Sequence, residues 1–161
     1  MKKTIFKSLI LSLLITVPAK ADIELDKLVI PEGFSIEVYA RVPNARQMSL
    51  GDDGTVYVGT RNRARGRIFA ITDSNGDYKG DDVVAITRGL KSPSGLVYKD
   101  GDLYVGAINT IHKFPNIADT MNDNPKSEII TDNLPDKTHH GWKFLEFGPD
   151  GLLYVPIGSP C

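Results

Sequence analysis

The stretch VYKDGDLYVGA, residues 97–107, sets two short apolar runs on either side of an Asp-Gly pair, and its pattern occurs three times in the chain. LGDDGTVYVGT (50–60) precedes it and FGPDGLLYVPI (147–157) follows it. Each copy has an apolar strand end, the Asp-Gly pair, then a run carrying Tyr and Val. Asp-Gly readily takes the positive φ angles of a tight turn whose twist matches that of its strands, so each copy predicts a β-hairpin.

The first two copies have matching sequels. GRIFAIT (66–72) and DVVAIT (82–87) follow the first; NTIHKFP (109–115) and SEIITD (127–132) follow the second. All are short apolar or alternating runs bounded by Gly, Pro, Asn and Asp, and helical periodicity is almost absent. The fold class predicted is all-β, with four strands per unit. Four-stranded units repeating every 40 to 50 residues or so are the signature of a β-propeller, which closes with about 4 to 8 blades. Two full blades and the start of a third leave apolar faces and strand edges uncovered. The sequence is therefore expected to be the N-terminal part of a longer propeller. A three-unit chain that dimerises into a ring is the competing arrangement.

The start of the chain stands apart. Lys2, Lys3 and Lys7 flank an apolar stretch from Ser8 to Val17, and Ala19-Lys20-Ala21 gives a small-x-small pattern. Together they predict a cleaved secretory signal over residues 1–21, with the mature domain at 22–161 in a periplasmic or secreted setting. An apolar core of about ten residues falls short of the roughly 20 that span a bilayer, so no membrane span is expected after cleavage. The formal net charge of −1 argues against a broadly electrostatic partner such as nucleic acid. Export usually comes with paired cysteines, yet Cys161 is single. It is an incidental thiol or one whose partner lies beyond the sequence.

Several residues could carry chemistry. His139 and His140 follow the loop DNLPDKT and precede KFLEF. In an extended chain their side chains would point to opposite faces, so one imidazole could face a central pocket and act as a general base. Trp142 could stack on a ligand or cover the core between blades. In DSNGDYKGDD (73–82), Asp73, Asn75 and Asp77 alternate as in a cation loop, but Tyr78 stands where a Gly is needed and Val84 where a distal Glu is needed. A solvated Asx-rich turn is the other reading of that loop. Arg61, Arg63, Arg65 and Arg67 alternate along RNRARGR, as a solvated turn or as an anion contact. No phosphate loop, Ser-centred nucleophile elbow or zinc-spaced Cys/His set is present.

Three segments carry a more specific likeness: NARQMSLGDDGTVYVGTR (44–61), SPSGLVYKDGDLYVG (92–106) and HHGWKFLEFGPDGLLYVPIGSPC (139–161). They resemble the glucose/sorbosone dehydrogenase family of secreted six-bladed propellers that use pyrroloquinoline quinone (PQQ). The resemblance implies oxidation of a sugar or aldehyde, delivery of electrons to an external acceptor, and His140 as both general base and cofactor contact. It also implies a calcium ion that polarises the quinone carbonyl, with the remaining cofactor contacts and the calcium ligands beyond Cys161. By itself the 161-residue chain is then expected to lack activity. The segment Ser92 to Ser94 has no glutamine where glucose-specific members place one, which favours the sorbosone-type branch. A gluconolactonase-like metal-dependent hydrolase and a noncatalytic binding propeller remain the alternatives.

Overall fold

The computed structural model describes residues 23–62 and 64–159. The predicted signal, Arg63 and Cys161 lie outside them. The described chain forms two units. In the first, ending at Glu37, a short 3-10 turn over Leu25–Lys27 is tied by a Lys27–Glu24 ion pair at 2.7 Å, and Phe34 N–H donates to the Pro31 carbonyl. The second begins at Val38 and holds every strand.

That second unit is mostly β, as the sequence predicts. β1 (Ala45–Leu50), β2 (Val56–Thr60), β3 (Gly66–Thr72) and β4 (Asp82–Leu90) form one antiparallel sheet in sequence order. β5 (Gly95–Lys99), β6 (Asp102–Gly106), β7 (Ile111–Phe114) and β8 (Glu128–Thr131) form a second of the same topology. β9 (Glu146–Phe147) pairs with β10 (Leu153–Tyr154) as a lone hairpin. A four-residue helix, α1 (Ile117–Thr120), interrupts the second sheet between β7 and β8. Among the described residues no helix is long and apolar enough to cross a membrane.

Alternation within the strands decides the packing, because successive side chains leave opposite faces of a sheet. In β2, Tyr57 packs with Ile68, Ile86, Leu96, Leu103 and Phe114 between the two sheets, while its neighbour Val58 joins Phe69 and Ile71 on the far face. Residues Tyr39, Ala40 and Val42 cover that far face. In β5, Leu96 enters the shared core and Val97 turns the other way, onto Leu145 and the β9–β10 hairpin. Both faces of each sheet are thus apolar.

The three hairpins do not share one turn. Only the second is a two-residue loop: Lys99 pairs with Asp102, and Asp100 (φ 52°) and Gly101 (φ 88°) both take positive φ. In the other two, five residues separate the paired positions, and of the Asp-Gly pair only Gly54 (φ 84°) and Gly151 (φ 76°) are left-handed. The aspartates there do other work. Asp53 Oδ1 accepts from Thr55 N–H and Asp150 Oδ1 from Leu152 N–H, both at 3.0 Å, so each carboxylate closes its own turn.

A second repeat lies at the strand lead-ins. Asn44 (φ 57°), Ser92 (φ 47°) and His140 (φ 54°) are left-handed residues equally spaced along the chain, each kinking the backbone into the first strand of a unit. The lead-ins then press on the preceding unit. A β-carbon at Gly59 would lie 2.7 Å from the Ser94 carbonyl oxygen, and one at Gly106 would lie 2.8 Å from Lys143 Cβ. At Gly95 a β-carbon would run into the Lys143 carbonyl. Thr60 N–H donates to the Pro93 carbonyl at 2.9 Å across the first of these contacts.

Gly95→Ala should therefore destabilise the chain by about 1–3 kcal/mol, because the added methyl meets backbone that cannot swing away. Gly54→Ala, with open space around it, should cost only the left-handed penalty of about 1 kcal/mol. Urea unfolding of both variants checks the order, and Gly54→Ala proving the more damaging would contradict the close-approach account.

Candidate functional site

The candidate site gathers around the third lead-in, HHGWK (139–143). His140 does not continue an extended strand. Its left-handed φ breaks the alternation expected from sequence, and the His139 and His140 rings stack with centroids 4.1 Å apart instead of facing opposite ways. His140 is exposed, and its Nδ1 lies 3.2 Å from the carbonyl oxygen of Ser159. A β-carbon at Gly158 would strike the His140 carbonyl, so the closing stretch of the described chain can cross this kink only with glycine there.

Trp142 is 38% exposed and carries guanidinium groups. Arg61 Cζ lies 4.3 Å from the ring centroid and Arg46 Cζ 5.8 Å from it. Arg46 sits on β1 and Arg61 just past β2, neighbours because Ala45 pairs with Thr60. Among the described residues of the arginine run, Arg61 alone is seen on an aromatic ring. Asn62 Oδ1 accepts from the N–H groups of Ala64 and Arg65, which makes the next residues a turn, and Arg67 is an exposed residue of β3.

Lys143 is the residue that sequence reasoning missed. It is buried to 1% exposure, its Nζ donates to the Gly141 carbonyl at 2.8 Å, and burial lowers its pKa below the ordinary lysine value. The signal was present in the alternation, since Lys143, Leu145 and Phe147 share one register and Leu145 is core. Phe144, in the opposite register, is 61% exposed. Ser92 and Ser94, at the second lead-in, are also buried, and neither hydroxyl has a partner among the described residues.

The acidic loop closes on itself. Asp73 Oδ1 accepts from Gly76 N–H at 2.8 Å and Oδ2 from Tyr78 N–H at 2.8 Å; Asn75 Oδ1 takes Asp77 N–H, and Asp77 Oδ1 takes Lys79 N–H. Among the described residues no group of three or more His, Cys, Asp or Glu is placed to hold a metal ion. A shallow apolar hollow of about 420 Å³ lies elsewhere, lined by Tyr39, Met48, Ser49, Leu50 and Val56, and offers no carboxylate, imidazole or amine.

No protein-family model matches the chain. An uncharacterized protein of Borreliella burgdorferi (strain ATCC 35210 / DSM 4680 / CIP 102532 / B31) is 26% identical over 102 residues, covering 62% of this chain and 24% of that protein. The matched part spans about a quarter of the relative's length.

A third imidazole, His112 on β7, is buried between two hydroxyls, with Nε2 3.0 Å from Thr110 Oγ1 and Nδ1 3.1 Å from Ser127 Oγ. Burial holds its pKa below the usual 6.5. As pH falls, the unfolded chain takes up that proton first. The stability contributed by the neutral ring is therefore full above about pH 6.5 and is lost below it, toward the folded-state pKa. Thermal unfolding midpoints should drop between pH 7 and pH 5 in the wild type and less steeply in His112→Gln. Parallel profiles for the two would contradict the assignment.

Proposed function

We propose that these four-stranded repeats are blades of a PQQ-dependent sugar or aldehyde dehydrogenase, with His140 as its general base. Two consecutive four-stranded meanders, a third hairpin and three equally spaced lead-in kinks support a ring of repeated blades. The likeness of residues 139–161 to the glucose/sorbosone dehydrogenases supports the chemistry.

The observation that carries the proposal is the contact of His140 Nδ1 with the Ser159 carbonyl oxygen, 3.2 Å away. A carbonyl oxygen only accepts, so the contact to Ser159 requires the proton on Nδ1, and the lone pair of the neutral ring is then on Nε2. That is the form a general base needs. On an exposed ring, Nε2 would take the proton from a substrate hydroxyl while the adjoining carbon gives up a hydride. PQQ, when bound, supplies the hydride acceptor, and calcium polarises its carbonyl. No residue of this chain is assigned to the calcium ion. The signal-like residues 1–21 support work in a periplasmic or secreted setting, with an external electron acceptor.

In the complete propeller carrying these blades, His140→Ala should lower PQQ-dependent dye reduction with aldoses or aldehydes by about 10²–10⁴-fold, the usual range for losing a general base. Unchanged turnover would remove His140 from the role. Lactone hydrolysis without quinone, with no dye reduction when PQQ is added, would replace the dehydrogenase by a hydrolase.

A further inference from the structure

Two positive charges meet at one indole ring. Arg46 and Arg61 both reach Trp142, so their guanidinium carbons are no farther apart than the sum of their distances to its centroid. Neither has a carboxylate partner among the described residues; the hydrogen bond seen for Arg46 is from Nη1 to the carbonyl of Ala45, at 2.7 Å. That upper bound on their separation is about the Debye length at 0.1 M salt, so the two like charges are only partly screened from each other. Each cation–π contact returns only about 0.5–1 kcal/mol at an exposed site.

A guanidinium stacked on a ring still presents its N–H edge, the fork that fits carboxylate and phosphate oxygens. An oxyanion shared by the two arginines removes the repulsion and fills those donors. We propose that Arg46, Trp142 and Arg61 form an oxyanion-binding site for a small carboxylate or phosphate ester. The strands fix its parts: Arg46 lies on β1, Arg61 follows β2, and the third lead-in brings Trp142 against both. The inference goes beyond the dehydrogenase reading and does not depend on quinone binding.

Trp142 is the only tryptophan in the chain, so its fluorescence reports on this site alone. The wild-type chain is titrated at constant ionic strength with inorganic phosphate and with glucuronate, beside glucose as the neutral counterpart and sodium chloride as the salt control. The site predicts a saturable change with phosphate, glucuronate or both, and none with glucose or chloride. Saturation by phosphate alone assigns phosphate esters, and by glucuronate alone assigns carboxylates. Arg61→Gln and Arg46→Gln, checked for retained β structure by circular dichroism, should each weaken binding at least about tenfold. No saturable response to either anion, a response matched by chloride, or undiminished binding in the double variant overturns the proposal.

Discussion

The side-chain amide of Gln47 holds three stretches of chain together. Its Oε1 accepts from Leu96 N–H at 3.2 Å and from Leu145 N–H at 3.4 Å, and its Nε2 donates to the Leu145 carbonyl at 3.1 Å. Its own backbone N–H donates to the Ser94 carbonyl at 3.2 Å. Thus β1, β5 and the stretch leading to β9 share one polar centre. Leaving a buried donor or acceptor unpaired costs about 1–3 kcal/mol, so a sheet that shifted by one residue would give up more than packing could return.

The close glycines make that centre possible. Because Gly59, Gly95 and Gly106 have no side chain, each lead-in lies directly on its predecessor, and the amide of Gln47 can span the gap. The same contact explains where the candidate site falls. The third lead-in carries His140, Trp142 and Lys143, and its approach to β5 and β6 brings Trp142 within reach of Arg46 and Arg61. The site is a consequence of stacking one repeat on the next. Lys143, buried with one carbonyl acceptor seen, marks how strictly the register is kept: the lead-in places an ammonium inside and a phenyl outside.

Much of this was legible in the sequence. The Asp-Gly hairpins and their sequels locate the strands, and β3 covers the same residues as GRIFAIT. Turn geometry was less legible, because Asp-Gly is compatible both with a two-residue loop and with a wider one that the Asp carboxylate closes itself. His140 was singled out, but its neighbours were not: the partners of Trp142 come from β1 and from the residue after β2, far away in the chain, and no local pattern links them. The stacked histidines were missed for a backbone reason, since a left-handed residue cancels the alternation from which opposite faces were expected. Lys143 was overlooked because charge was read as exposure, although the alternation around Leu145 already placed it inward.

Docking of each lead-in on the preceding unit is the central claim, and native-state hydrogen exchange on the wild-type chain measures it directly. The amides of Thr60, Leu96 and Leu145, which bond across units, should exchange in the same slow class as Val105 in the middle of β6. Exchange of Leu145 at the rate of exposed turns, with Val105 still protected, would show that the third lead-in is not held, and would contradict the account.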